Sequence, residues 1–219
     1  MNTKFEKTRE FWGKEIVRGN LIYPNVNVIR FVKRNMVSGA TILDFGCGAG
    51  RNSIALSKEG YKCIAMDYTE EALSLTRQKV AETSLEIDIV QNVGLEVPLV
   101  ENCVDGIIAD GSLFYNKKSD VITLLKNLRK CLKQGGKIWA DWRTKSDSLY
   151  KCGISLGEGL YQLASGTKRE GACYFFVDEQ DIVEMYESAG FVLESVDSYE
   201  YTENDKNTKC SWFHVIAKK

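Results

Sequence analysis

LDFGCGAGRNS, residues 43–53, is the stretch on which the reading of this chain turns. It follows TILDF (41–45), a short apolar run rich in β-formers, and leads into NSIALSKEG (52–60), which has helical spacing and a C-terminal Gly60. Gly46 and Gly48 let the backbone turn tightly with no Cβ between it and a ligand. Gly50 is read as letting the helix start close to the sheet. The free N–H groups at such a helix start bind carboxylates or phosphates. Asp67 ends the next strand, 21 residues after Gly46. At that spacing a carboxylate reaches the two hydroxyls of a ribose.

Working outward, YKCIAMD (61–67), LEIDIV (85–90), VDGIIAD (104–110) and KIWADW (137–142) read as further strands. Between them, TEEALSLTRQKVAE (69–82) is a helix with Thr69 at its N-cap. SDVITLLKNLRKCLKQGG (119–136) is a helix capped by Ser119 and stopped by Gly135. Strand and helix alternate from residue 40 to 142, which argues a parallel sheet with helices on both faces. DEQDIVEMYESAG (178–190) is another helix. FVLESVDSYEY (191–201) and KCSWFHVIAKK (209–219) read as a closing hairpin. The predicted fold is α/β and Rossmann-like: seven strands, mostly parallel, with one antiparallel C-terminal strand.

Two segments lie outside the alternation. Residues 3–18 suit an amphipathic helix with Phe5, Phe11, Trp12 and Ile16 near one face, and Pro24 and Asn25 open a second helical run. Residues 143–176 carry five glycines among scattered aromatics, and connections of that length are usually functional. The expected organisation is one domain over 1–219, with an N-terminal helical cap (1–35) and an insertion (143–176) that serves as a lid.

Composition narrows the classes. Lys plus Arg number 29 against 30 Asp plus Glu, a net charge of −1, so neither nucleic acid nor an anionic membrane is indicated as the main partner. Seven cysteines at wide, irregular spacing have no zinc-knuckle pattern and are read as reduced, structural thiols. No metal-ligand cluster stands out. The polar start MNTKFEKTRE and the lack of a long apolar run point to a cytoplasmic protein.

A dinucleotide fingerprint is G-x-G-x-x-G. Here the third glycine falls one residue early, at Gly46, Gly48 and Gly50, and an acid, Asp44, precedes the first by two residues. This pattern resembles motif I of the class I S-adenosylmethionine (SAM)-dependent methyltransferases, and the order of elements from about residue 20 to 217 is similar to theirs. GRNSIALSKEGYKCIAMDYTEEAL (50–73) looks especially like the small-molecule branch that includes tellurite-resistance-type methyltransferases. GKIWADWRTKSDSLY (136–150) loosely resembles enzymes encoded near surface-polysaccharide genes.

The resemblance implies SAM as cofactor and a set of roles. Asp44 would orient the methionine end, partly through water. Gly46, Cys47 and Gly48 would lie along the SAM backbone. Arg51 and Asn52 would help the methionine carboxylate or line the substrate entrance. Asp67 would take the ribose hydroxyls, Tyr68 would cover the adenine, and Asp110 with Gly111 would meet the methionine amino group. The family commonly places an Asp after the third strand. Here Asn92 stands in that place, its amide oxygen able to accept from the adenine amine, with the N–H of Val93 donating to the ring. Asp88 is the nearby alternative.

On the acceptor side, Tyr115 is read evenly as site or core, and Asp141 and Arg143 as substrate contacts or a plain salt bridge. His214, Trp139 and Trp142 are read as structural. No catalytic residue is assigned. DGSLFY (110–115) lacks the N-P-P-Y pattern of amide and base methylation, so the expected acceptor is a small molecule, a sugar derivative or other metabolite, handled by a monomer or homodimer. The alternatives are a SAM-binding sensor or subunit without catalysis and an NAD-dependent oxidoreductase.

Overall fold

The structure, a computed structural model, describes residues 11–16, 21–167 and 169–219. Phe5 and most of the predicted first helix lie outside the described residues; Phe11–Ile16 is helical. Helix α1 (Val26–Asn35) follows, its N-cap Asn25 accepting from the N–H of Asn27. Then come β1 (Thr41–Phe45), α2 (Arg51–Lys58), β2 (Lys62–Asp67), α3 (Glu70–Ala81), β3 (Ile87–Gln91) and β4 (Val104–Ala109). A 3₁₀ turn (Leu113–Tyr115) leads to α4 (Lys118–Cys131) and β5 (Leu132–Arg143). The chain ends with β6 (Gly153–Gly157), β7 (Leu160–Leu163), β8 (Cys173–Phe175), α5 (Glu179–Ser188), β9 (Val192–Glu203) and β10 (Thr208–Lys218).

Seven strands form one sheet in the order β3-β2-β1-β4-β5-β10-β9. The first five are mutually parallel, and β10 runs antiparallel to both neighbours. Alternation along the central strands explains the layers. Ile42, Ile108 and Trp139 pack with Val28, Phe31 and Val32 of α1 and Leu56 of α2. Their sequence neighbours Leu43, Ile107 and Ile138 pack with Leu124, Leu125 and Leu128 of α4 and Ile182 and Met185 of α5. Burial on both faces is what a parallel sheet under crossover helices requires. Trp142 belongs to this second core and donates from its indole N–H to the Tyr186 hydroxyl at 3.3 Å.

Some local expectations differ from the structure. The helix read over 119–136 ends at Cys131, because Leu132 continues the apolar pattern but has already turned extended and joined β5. Ser119 does not cap it: Lys117 holds that place, and the Ser119 N–H donates to Glu158. Thr69 sits at the N-cap of α3, but its side chain turns back to Asp67. The 143–176 segment folds as a three-stranded antiparallel sheet, β6-β7-β8. Its β8 end is buried against the main core through Tyr174, Phe175 and Phe176. All seven cysteines are free thiols. No described helix is long and apolar enough to cross a membrane.

Two glycines with the same backbone demand separate strain from close approach. Gly39 and Gly46 have φ of +78° and +75°, but among the described residues a Cβ on Gly39 meets nothing within 4 Å, while one on Gly46 runs into Cβ of Ser112. Gly39→Ala is expected to cost about 1–2 kcal/mol, the left-handed strain alone. Gly46→Ala is expected to cost roughly 2–4 kcal/mol, since overpacking adds to that strain. Urea unfolding of both variants measures the difference; equal losses would show that the Gly46 turn does not press on Ser112.

Candidate functional site

The carboxyl ends of β1, β2, β4 and β5 open on one side of the sheet, where α/β folds bind ligands. A cavity of about 750 Å³ lies there. Its floor is the turn after β1. The N–H groups of Gly46 and Cys47 both donate to the Met66 carbonyl, at 2.8 and 2.9 Å, which ties the turn to β2. Gly50, in the left-handed region at the N-cap of α2, packs against Thr76 of α3. Its lack of a side chain thus serves helix–helix approach, not the helix–sheet approach expected from the sequence.

Asp44 is 1% exposed and does not reach the cavity. One of its oxygens accepts from both the N–H (3.1 Å) and the hydroxyl (2.5 Å) of Ser53. It therefore anchors the start of α2 from behind the turn. Burial pushes its carboxyl up to about 7, against the pull of the Ser53 hydroxyl. Asp67 lines the cavity; it accepts from the Gly48 N–H at 3.0 Å and from both the N–H and hydroxyl of Thr69. Burial raises its pKa, and those donors oppose the rise.

Beyond the turn, Asp110 accepts three side-chain hydrogen bonds: from Arg51 (2.6 Å), Asn52 (2.8 Å) and Asn25 (2.8 Å). Asn25 thereby pins the N-terminal segment onto the carboxyl end of β4. Next to it, Asp141 accepts from the Gly111 N–H at 2.7 Å. Asp141 is 7% exposed. Burial, with the neighbouring negative charge of Asp110, pushes its carboxyl up to about 8.

The far end of the cavity is aromatic. Tyr115 contacts Trp12 (4.3 Å between ring centroids), Phe114 (4.5 Å) and Tyr174 (5.5 Å). The Arg143 guanidinium lies 4.1 Å from the Trp212 ring centroid and 5.1 Å from that of Tyr174, and donates to Asp147 at 2.6 Å. Arg169 pairs with Glu15 at 2.7 Å beside Trp12. His214 stacks on Tyr199 with centroids 5.7 Å apart, and burial lowers its pKa below the ordinary histidine value.

The cavity lining brings together Gly46, Cys47, Gly48, Arg51, Asn52, Asp67, Tyr68, Asn92, Asp110, Gly111, Tyr115, Asp141 and Arg143. Asp44 and Val93 lie outside it. The Val93 side chain is 74% exposed. Asn92 is buried beside Asp67, its N–H donating to the Asp67 carbonyl. Trp12, Tyr174, Trp212 and His214 also line the cavity and were not assigned to it from the sequence. The usable signal for two of them was alternation: Trp212 and His214 are two apart on β10 and so share a face.

Residues 42–136 match the family model described as "Methyltransferase domain". Among curated proteins, the chain is 31% identical over 110 residues to the demethylmenaquinone methyltransferase of Oceanobacillus iheyensis, a match spanning 48% of this chain and 45% of that protein. It is 25% identical over 101 residues to a probable S-adenosyl-L-methionine-dependent methyltransferase, TehB, of Haemophilus influenzae, spanning 46% of this chain and 35% of that one. The chain thus spans half or less of the length of these relatives. Among solved structures, a SAM-dependent methyltransferase of Methanosarcina mazei superposes with a TM-score of 0.75 at 18% identity, covering 86% of this chain and 96% of that one. With a glycine turn after β1, an acid at the end of β2 and one antiparallel strand in the sheet, the chain has the fold of SAM-dependent methyltransferases, and its residues 42–136 are similar to a methyltransferase domain.

Proposed function

We propose that the chain binds SAM along the Gly46–Gly50 turn and transfers its methyl group to a small-molecule acceptor held at the aromatic end of the same cavity. The observation that carries this reading is the continuity of one cavity from Asp67 and Asn92, past Asp110 and Gly111, to Tyr115, Tyr174 and Trp212. Its volume lies within the roughly 300–1,000 Å³ of small-molecule sites, and no nucleic acid or membrane is needed to explain it. The residues present fit the cofactor. Gly48 and Gly111 leave the cavity wall without side chains: among the described residues a Cβ on Gly111 would meet nothing within 4 Å, and one on Gly48 only a methyl of Ile16 at 3.6 Å.

SAM supplies a methyl group already activated by the sulfonium that carries it. The chain supplies position and environment. Asp67 would hold the ribose hydroxyls, with Tyr68 and Asn92 around the adenine. The Asp110 end would face the methionine portion, with Arg51 and Asn52 fixing the Asp110 carboxylate. Residues 12–16 and the β6–β8 sheet would cover the acceptor and keep water from the transfer. Aligning acceptor and methyl in one cavity is worth up to about 7–11 kcal/mol of barrier in intramolecular comparisons. The chain would act as a monomer or homodimer.

Calorimetry should show binding of SAM and S-adenosylhomocysteine, with NAD far weaker. Preference for NAD would contradict the reading. Asp67→Ala, checked for folding by unfolding midpoint, should weaken cofactor binding by on the order of 1.5–3 kcal/mol, the range for hydrogen bonds to a charged group. Unchanged affinity would move the ribose contact to another acid.

The buried carboxylates also carry a stability signature. Folding raises the Asp141 carboxyl from the ordinary 3.8 to about 8, so the folded chain binds more protons there than the unfolded one. Its contribution is complete below pH 4 and is lost as pH rises toward 8. Asp141→Asn keeps an oxygen for the Gly111 N–H and removes that loss. The ligand-free variant should match the parent near pH 4 and exceed it by on the order of 1–2 kcal/mol at pH 8, a gain typical of relieving a functional site. Thermal unfolding across that range tests this; a variant less stable at pH 8 would show that Asp141 is a structural acceptor.

A further inference from the structure

The charges around the cavity do not balance at the acceptor end. Three guanidiniums line it, and each is ion-paired: Arg51 with Asp110, Arg143 with Asp147 and Arg169 with Glu15, at 2.6, 2.6 and 2.7 Å. Asp67 stands at the end of β2 and is taken up by the Gly48 and Thr69 donors. Asp141 is different. Among the described residues its carboxylate is met only by backbone N–H groups, those of Gly111 and of Asp141 itself, and it forms no ion pair, Arg143 acting on it only from a distance. It is buried, and it lines the cavity.

Its surroundings follow from strand register. Asp141 pairs with His214 and Arg143 pairs with Trp212 across the β5–β10 ladder. Residues two apart on a strand share a face. The four side chains therefore form one patch, and all four line the cavity. Titratable groups that interact with Asp141 from the other elements are Asp110 after β4, Tyr115 in the 3₁₀ turn and Tyr186 of α5. His214 is kept neutral by burial, and the Arg143 guanidinium is committed to Asp147 and the Trp212 ring. Asp67 is three strands away (β2, β1, β4, β5), roughly 14 Å at about 4.8 Å per strand, which puts Asp141 well beyond the ribose end.

We propose that the acceptor is an amine, its ammonium group held by the Asp141 carboxylate and its apolar body by the ring faces of Trp12, Tyr115, Tyr174 and Trp212. This rests on the methyltransferase reading above. A buried carboxylate without a cation is costly, and a cationic ligand removes the cost. Aromatic faces attract the same ligand through cation–π contact. An anionic acceptor would meet only guanidiniums that are already neutralised, beside an acid that repels it. The carboxylate also completes the chemistry. The ammonium gives one proton to Asp141, and the freed nitrogen lone pair bonds to the methyl carbon. The methyl–sulfur electron pair stays on sulfur, leaving a neutral thioether and a methylated ammonium. Asp141 then returns its proton to solvent. A carboxyl raised to about 8 is well placed for this exchange with an amine.

The test uses the full chain saturated with S-adenosylhomocysteine and three probes sharing one ring: phenethylamine, 2-phenylethanol and 3-phenylpropionate. Calorimetry at pH 8 should show phenethylamine binding at least about tenfold tighter than the alcohol, with the carboxylate weakest. Asp141→Asn should erase the amine's advantage and leave S-adenosylhomocysteine affinity within about twofold. Trp12→Ala should weaken amine and alcohol both, and the amine more, because it also loses a cation–π contact. Equal binding of the three probes, or no detectable amine binding, overturns the proposal. So does an Asp141→Asn variant that loses S-adenosylhomocysteine by the same factor as the amine, since Asp141 would then hold the cofactor's own ammonium. Failure of the parent chain to bind S-adenosylhomocysteine would sink the methyltransferase reading and this proposal together; binding it without favouring the amine sinks the proposal alone.

Discussion

Between Phe45 and Arg51 the backbone must leave the middle of the sheet, reverse into a helix and keep its floor free of side chains. Gly46, Gly48 and Gly50 all take positive φ there. Two N–H groups close on the Met66 carbonyl, and the Gly48 N–H closes on the Asp67 carboxylate. The turn is thus held to β2 by its own backbone. That places the one acid at the end of β2 beside the turn whose N–H groups a ligand would approach. Ser53, tied to Asp44, fixes where α2 begins, and Thr76 sets how closely α3 approaches. Strand order, helix placement and cavity shape all follow from this crossing.

The cavity is then shaped by what lies across the sheet from that turn. Asp110 is saturated by three donors and serves as a hub joining α2, the N-terminal segment and β4. Asp141 is met only by backbone donors, the N–H groups of Gly111 and of itself. The two differ in cost. A carboxylate surrounded by charged and side-chain donors is comfortable when buried, whereas one met by backbone donors alone favours its protonated form. Proteins keep such costly groups mainly where a ligand needs them. The aromatic wall makes the same point, since Trp12 and Tyr115 pack against the core only in part and also line the cavity.

Much of this could be read from residue order alone, for physical reasons. The central strands are apolar on both faces and separated by helical spacing, so their number and parallel arrangement were legible. The position of Asp67 was legible because motif and strand end coincide. What escaped had no local signature. GISLG (153–157) alternates Ile154 and Leu156 with small residues, but the run is short and bounded by glycines, and every residue of β6 is exposed, so no buried face marks it as a strand. Leu132 prolongs the stripe of α4 although it already belongs to β5. The pairing of Arg51 with Asp110 joins residues 59 apart, and the meeting of Trp212 with Arg143 depends on strand register. Asp44 carries the family's acid but spends it on Ser53, and the turn after β3 leaves Val93 facing solvent.

The central claim is that one cavity holds SAM at its glycine turn and the acceptor at its aromatic end. A crystal structure of the chain with S-adenosylhomocysteine tests it most directly. The account predicts the ribose hydroxyls on Asp67, the adenine beside Asn92 and Tyr68, and the sulfur directed toward Asp141 and Tyr115. A ligand bound with its ribose away from Asp67, or with its sulfur facing solvent and not the aromatic wall, would contradict it.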